Sequence, residues 1–362
     1  MRKYKYAVIG MSRISIQHVE AAKMNDVELV AVCDLDISRA DDILDASTLT
    51  DEEKSKVSRY DDFNKMLDKE QVDFVAITTD SGSHGKIALE CIEKGKHIII
   101  EKPIALSLKD ADLIIKRSEE KGIKLAVSHQ NRFNPAVLKL KNSIENGEFG
   151  KLFHGCAHIR WNRNEDYFKQ ASWRGTWKAD GGSLLNQCIH NIDILRWVLG
   201  SDVDEVFAYT DRLNHPYIET DDLGLGLLKM KNGAYGFVEG TINVYPKNLE
   251  ETLFVFGEKG TAKLCGPSVS KVSEWKVLDQ DEEKTVNEFS KPRERINGLK
   301  HSPVYKNFIG ALDGVEDIFV DGKAARDAIE TVFAIYKSSK EGKPVKLPLK
   351  DVSVSDFEGM YD

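Results

Sequence analysis

A strand–turn–helix–strand unit over residues 4–34 constrains this chain more than any other stretch. Tyr4-Lys-Tyr-Ala-Val-Ile-Gly10 reads as a strand that stops at a glycine, Met11–His18 leads into a helical pattern through Val19, Ala22 and Lys23, and Glu28–Asp34 reads as a second strand ending in an acid. Strands joined through a crossover helix pair in parallel, which commits the segment to an α/β sheet. The turn approaches the dinucleotide fingerprint G-x-G-x-x-G/A, with Gly10, Ser12 and Ser15 at its three small positions. Serine is small enough for the backbone to come close to a pyrophosphate and adds a hydroxyl donor, so Gly10, Ser12, Arg13 and Ile14 are the expected cofactor loop. Asp34 lies near the spacing of about 20 residues at which a carboxylate binds the adenosine ribose hydroxyls. Leu35 follows it in place of Arg or Lys, which favours NAD over NADP.

The alternation continues. Residues 41–58 are polar and read as a solvated insertion without chemistry, and Val72–Thr79 reads as another strand. Its end, Thr78–His84, is a loop of small polar residues suited to a cofactor ribose, which makes Thr78 and His84 cofactor candidates. After a helix over 86–94, Ile98-Ile-Ile-Glu-Lys-Pro-Ile104 has the unbroken β-branched run of a buried parallel strand, ended by Glu101-Lys102-Pro103. Ligands of open α/β sheets bind outside the carboxyl ends of the strands. Glu101 and Lys102 therefore face the expected crevice, and Lys102 is the first catalytic candidate. A helix over 107–121 and a strand within 122–129 complete a doubly wound parallel sheet, the Rossmann type, assigned to residues 1–127.

From residue 128 to 362 the texture changes. A helix over 134–150 precedes strand-like runs at Leu152–Trp161, Val203–Arg212, Gly224–Met230, Ala234–Asn243, Thr252–Gly257 and Lys263–Cys265, with Gly233 and Gly260 at turns. An open, mainly antiparallel sheet with helices, an α+β domain for substrate binding and oligomerisation, is the expectation. A chain of 362 residues exceeds one comfortable core, in keeping with two domains. The net charge of −8 excludes nonspecific binding to nucleic acid or anionic membrane. Five scattered cysteines without a C-x-x-C pair or zinc-type spacing suggest a reducing compartment and no metal. Neither a signal-peptide pattern nor a membrane-length apolar run is seen, so a cytoplasmic protein is expected.

Asp180-Gly-Gly-Ser-Leu-Leu-Asn-Gln-Cys-Ile-His-Asn-Ile-Asp193 is the informative stretch of the second domain. Leu185, Cys188, Ile189, Ile192 and Leu199 form an apolar stripe at helical spacing, while Asn186, His190 and Asp193 share another face. Gly181-Gly182 ahead of the helix permits a close approach by another group.

Taken together, the serine-substituted fingerprint, Glu101-Lys102-Pro103 and the Asn186-x-x-x-His190-x-x-Asp193 helix resemble the family of glucose-fructose oxidoreductase and inositol 2-dehydrogenase. The resemblance spans essentially the whole chain. Gln130-Asn-Arg-Phe-Asn134, Trp173-Arg-Gly-Thr-Trp177, Asp180-Gly-Gly182 with Asn186-Gln187, and Tyr245-Pro-Lys-Asn-Leu249 resemble its UDP-N-acetylglucosaminuronate 3-dehydrogenase branch. That branch implies NAD⁺ as hydride acceptor, Lys102 and His190 as the paired polar groups at the reacting carbon, and Gln130, Trp173 and Arg174 as further cofactor contacts. It also implies a nucleotide-sugar substrate, a role in surface-glycan synthesis, a homotetramer, and enzymes that hold NAD tightly and recycle it with 2-oxoglutarate.

Inositol dehydrogenases carry an aspartate four residues before the histidine, where this chain has Asn186. An amide cannot stabilise an imidazolium as a carboxylate does, so Asn186 is read as a hydrogen-bond partner for a sugar hydroxyl or acetamido group. Asp193 either orients His190 or is structural. An acidic protein must meet an anionic substrate locally, and Arg160, Arg163, Tyr167, Lys247 and His301 are the candidates, Arg163 for the uronate carboxylate because arginine binds carboxylates through two hydrogen bonds. Two rivals stand beside this reading: a dehydrogenase of a free polyol such as inositol, and a catalytically silent NAD-binding adaptor.

Overall fold

The computed structural model describes residues 4–200, 202–290 and 296–362. It divides into two compact units, one of residues 1–105, 110–130 and 294–325, the other of 106–109, 131–293 and 326–362.

The first unit is built on a six-stranded parallel sheet of β1 (Lys5–Ile9), β2 (Glu28–Cys33), β3 (Ser58–Tyr60), β4 (Phe74–Ile77), β5 (His97–Ile100) and β6 (Leu125–Val127). Their order is β3-β2-β1-β4-β5-β6. Chain direction reverses its march across the sheet between β1 and β4, the switch point at which such sheets bind ligands. Central strands are covered on both faces, so Phe74–Ile77 and Ile98–Ile100 are fully buried. The polar stretch 41–58 is more than an insertion: it contains the end of a helix (Ile37–Ala46) and a short capped helix (Asp51–Ser55), and it ends at the first residue of edge strand β3. Three residues with one half-exposed face carry too little apolar alternation to announce a strand.

A single cut at residue 127 also misplaces 296–325. Helix Ser302–Leu312 carries Tyr305 and Phe308, and both are fully buried against Tyr6 and Phe74, with ring centroids 5.1–6.2 Å apart. Val320 accepts the N–H of Val127 in β6. Apolar contact, not chain order, decides which core a helix belongs to.

The second unit contains an eight-stranded sheet of β7 (Leu152–Arg160), β8 (Val203–Asp211), β9 (Leu223–Met230), β10 (Tyr235–Thr241), β11 (Glu250–Gly257), β12 (Gly260–Cys265), β13 (Lys271–Val277) and β14 (Val345–Lys346). The order is β13-β12-β11-β7-β10-β9-β8-β14, antiparallel except for β7 and β10. Each expected strand is present, and β13, β14 and the parallel pair are additions. β9 shows how the sheet is used: Gly224, Gly226, Leu228 and Met230 are buried, while Leu225, Leu227 and Lys229 alternate outward. Over the buried face lies the helical segment from Leu184 to Val198. A Cβ at Gly224 or Gly240 would stand 2.7 Å from a Leu184 methyl, so the missing side chains set how closely this helix seats.

Candidate active site

In the first unit, the turn after β1 has the geometry its sequence promised. Gly10 has φ +93°, and a Cβ there would lie 2.6 Å from the Thr79 nitrogen, so only glycine fits. Ser12 Oγ donates to the Thr78 carbonyl at 2.7 Å, and Ser15 Oγ donates to the Ser12 carbonyl at 2.6 Å. Serine hydroxyls thus fasten the loop where the fingerprint has glycines. Helix Ser15–Met24 starts with no side-chain cap; the Ser15 and Gln17 N–H groups turn back to the Ser12 and Ile14 carbonyls at 2.9 Å, and the positive dipole end of the helix favours an anion. Arg13 is exposed and Ile14 half-buried beside it. Asp34, half-buried at the end of β2, accepts the Met11 N–H through one oxygen at 2.7 Å and the Asp36 N–H through the other at 3.0 Å. Glycine turn, uncapped helix and strand-end carboxylate together suit a dinucleotide.

Three expected cofactor contacts serve the scaffold instead. Thr78 is fully buried with its hydroxyl on the Gly10 carbonyl. His84 is buried with Nδ1 2.7 Å from the Pro103 carbonyl and Nε2 3.3 Å from that of Thr79, which braces the ends of β4 and β5 against each other. Glu101 is buried and bonded through Oε1 to His18 Nε2 at 3.0 Å and His301 Nε2 at 3.2 Å, while its Oε2 accepts the Lys102 N–H at 3.3 Å. Burial pushes the Glu101 carboxyl up, but the two histidines outweigh it and hold the group well below the carboxylate range. His18 completes the cluster through the Tyr305 hydroxyl, 3.0 Å from its Nδ1. His301, expected to touch substrate, is therefore a buried partner of Glu101 in the nucleotide unit. Lys102 stands half-buried on this foundation, and Gln130 is also half-buried.

In the second unit, the segment bearing Asn186 and His190 is not a plain α-helix. Leu184–Cys188 is a π-turn that runs into the α-helix Ile189–Val198. Such wide turns recur at functional positions because they re-aim side chains out of the regular ladder. Asn186 and His190 are half-buried, whereas Asp193 is fully buried. Asp193 takes a two-pronged ion pair from Arg132, with Nε at 2.7 Å, and the Arg132 guanidinium lies 4.8 Å over the Trp197 ring. Asp193 thus has a structural partner in Arg132, and its full burial speaks against the expected contact with substrate.

The start of this segment is fastened by an acid from far along the chain. Asp221 is buried and accepts the N–H groups of Ser183 and Leu184 at 3.0 and 3.2 Å, the Ser183 hydroxyl, and the Tyr336 hydroxyl at 2.6 Å. Burial pushes its carboxyl up to about 6 against these donors. Gly182, with φ +101°, leaves the space this carboxylate and Tyr336 fill. Asp180 accepts the Gly175 N–H at 2.6 Å and the Asn186 amide, which sets that side chain's direction.

Beside the segment lies a cationic cluster. Guanidinium carbons of Arg163 and Arg174 stand 4.9 and 4.3 Å over the Tyr167 ring, and each also stacks on its neighbouring tryptophan, Trp161 or Trp173. The Tyr167 hydroxyl accepts from Arg174 and from Gln187 Nε2, the latter at 3.0 Å. Among the described residues neither arginine has a carboxylate partner, whereas Arg132, Arg160, Arg196, Arg212 and Arg326 of the same unit each pair with an acid. Arg160 is spent on Glu239 and Glu250. Lys247 is exposed on the loop before β11. Sequence reasoning gave no role to His18, Arg132, Gln187 or Asp221, although Arg132 and Gln187 fall inside quoted motifs, because each matters through a partner distant in sequence.

Comparison with known proteins agrees with both units. Residues 4–129 match the family model described as the oxidoreductase family, NAD-binding Rossmann fold, and residues 137–263 match the GFO/IDH/MocA C-terminal domain. The WlbA dehydrogenase of Bordetella pertussis, solved with NADH and UDP-GlcNAcA, is 32% identical, with 96% of this chain and 99% of that one covered at TM-score 0.87. Its counterpart from Chromobacterium violaceum, in complex with the same pair, is 31% identical with 97% of each chain covered, also at 0.87. Myo-inositol 2-dehydrogenase of Thermotoga maritima is 28% identical over 354 residues, 95% of this chain and 98% of that protein.

Proposed function

Because this chain belongs to the GFO/IDH/MocA family of NAD-binding oxidoreductases, we propose that it oxidises the 3-hydroxyl of UDP-N-acetylglucosaminuronic acid to the 3-keto sugar. The observation that carries this reading is the pair Arg163 and Arg174, stacked on Tyr167 with no carboxylate partner among the described residues. Arg174, implied above as a cofactor contact, is read here with Arg163 as part of an anion site: a substrate with carboxylate and diphosphate charge suits such a pair, and a neutral cyclitol offers it no anion. Kinship to two proteins crystallised with UDP-GlcNAcA supports the same choice.

NAD⁺ supplies the acceptor for the hydride from the sugar C–H. Gly10, Ser12, Arg13, Ile14 and Asp34 would hold the dinucleotide, with Gln130 and Trp173 further candidates. Lys102, half-buried at the end of β5, orients and polarises the hydroxyl. His190, whose ordinary pKa lies near neutrality, takes the hydroxyl proton. Asn186, aimed by Asp180, hydrogen-bonds the sugar. In this role the enzyme is a cytoplasmic homo-oligomer, a tetramer in the family's manner, that serves surface-glycan synthesis. The outward face of the sheet, with Phe153, Tyr209, Leu225, Leu227 and Tyr235 exposed, supports self-association.

The test is absorbance at 340 nm, about the NADH band, with UDP-N-acetylglucosaminuronate, myo-inositol and free hexoses as substrates. Turnover confined to inositol would replace this reading with the polyol one, which the Thermotoga relative favours. Lys102→Ala and His190→Ala are each expected to lower kcat by about 10²–10⁴-fold with the melting temperature retained. Unchanged turnover in either would remove that residue from the chemistry.

A further inference from the structure

His215 joins the backbone of Arg163 to a buried carboxylate. The ring is 3% exposed, with Nδ1 2.9 Å from Asp222 Oδ2 and Nε2 2.6 Å from the Arg163 carbonyl oxygen. A carboxylate and a carbonyl only accept, so both ring nitrogens must carry hydrogen for both contacts to be hydrogen bonds. Neutral imidazole has a single N–H. The pocket is therefore built around an imidazolium. Its counter-charge is itself locked: Asp222 is fully buried and accepts the N–H groups of Leu213, Asn214 and His215 at 2.8–3.1 Å and the Asn243 amide at 2.8 Å. On its other side, the Arg163 N–H donates to the Ile242 carbonyl at 3.0 Å. The main chain of Arg163 is thus held at both its N–H and its C=O.

We propose that Asp222 and His215 form a positioning dyad that fixes the Arg163 main chain, and so aims its guanidinium at the anionic part of the substrate. The inference rests on the reading of Arg163 as an anion-binding residue. His215 acts through Arg163, and its state decides how firmly that residue is held. Burial alone would lower the His215 pKa, but the Asp222 carboxylate and the Arg163 carbonyl outweigh it and the pKa is raised. The charged and titratable groups around the ring are Asp222, Arg163 and Tyr217, whose ring centroid is 5.5 Å away, with Glu165 beyond Tyr217 and Phe168 packed at 5.8 Å. As pH rises through the raised pKa, one of the two hydrogen bonds is lost and Arg163 is released.

Calorimetric binding of UDP-N-acetylglucosaminuronate to the NAD-loaded enzyme between about pH 6.5 and 9.5 tests this, with UDP-N-acetylglucosamine as the ligand lacking the carboxylate. The wild type should lose affinity for the uronate with rising pH, and Arg163→Gln should bind it about tenfold more weakly with that pH limb absent. His215→Gln should show a similar loss, expressed in KM more than in kcat, and the double variant should be no worse than either single one. Weakening of both sugars equally by His215→Gln, additive losses, or a limb that persists in Arg163→Gln would overturn the dyad's role. The last comparison needs no change at His215, so it decides even if that variant fails to fold. Uronate binding unaffected by Arg163→Gln would sink the anion-site reading itself, and the dyad with it.

Discussion

At Glu101 a buried charge is made tolerable by donors drawn from three places in the sequence. His18, His301 and the Lys102 N–H surround it. A carboxylate whose folded pKa is depressed contributes stability that is complete above its ordinary pKa and lost as pH falls toward the folded value. Glu101→Gln should therefore cost about 2 kcal/mol near neutrality, the scale of leaving buried donors without a charged acceptor. Urea melts should show that difference shrinking below about pH 4.5. A constant difference across pH would mean that Glu101 is not ionised in the fold. The roles of Lys102 and His190 were proposed from motif position, because a strand-end lysine and a helical histidine are visible locally. The role of Glu101 was not, because it depends on two histidines that no periodicity connects to it.

Among the elements, the π-turn and helix from Leu184 to Val198 position the most chemistry, and Asp221 is their anchor. It does the work of an N-cap although it comes from the segment just before β9, while Ser183 makes no side-chain cap of its own. Asp221→Ala would strand two N–H groups and the Ser183 hydroxyl in the interior and leave the Tyr336 hydroxyl only the Gly181 carbonyl, at a cost of about 2–4 kcal/mol. Melting temperature should fall, and NAD affinity should change less than sugar affinity, since the variant disturbs the second unit alone. Equal losses of both ligands would contradict this placement. The apolar stripe through Leu185, Cys188, Ile189 and Ile192 was legible because burial repeats with helical period, and all four are fully buried. Asp193 was grouped with His190 on the same reasoning, yet three residues of α-helix turn through about 300°, enough for Arg132 to take one while the other stays half-buried.

For the molecule as a whole, the segment 296–325 has the largest consequence. Tyr305 and Phe308 are fully buried on Tyr6 and Phe74, and burying two such rings is worth about 3–6 kcal/mol, a large share of the roughly 5–15 kcal/mol that holds a domain together. A fragment that ends at residue 130 should therefore melt without cooperativity and bind the dye ANS, whereas one that also carries 296–325 through a flexible linker should melt as a unit. A cooperative melt of the short fragment would show this helix to be dispensable.

Local pattern determined much of this protein unaided. The parallel sheet, the glycine turn after β1, the acid at Asp34, the outward and inward alternation of the second sheet and the helix with His190 all follow from short-range periodicity and from which residues tolerate a given backbone. Tertiary structure decided whatever needs two distant segments at once: that His301 serves Glu101, that Asp193 serves Arg132, that Asp221 caps the π-turn, and that Arg163 and Arg174 share Tyr167. The physical reason is the same in each case. Backbone preference acts over a few residues and leaves its mark in the local pattern, whereas a buried charge is satisfied by whichever partner the completed fold brings within about 3 Å.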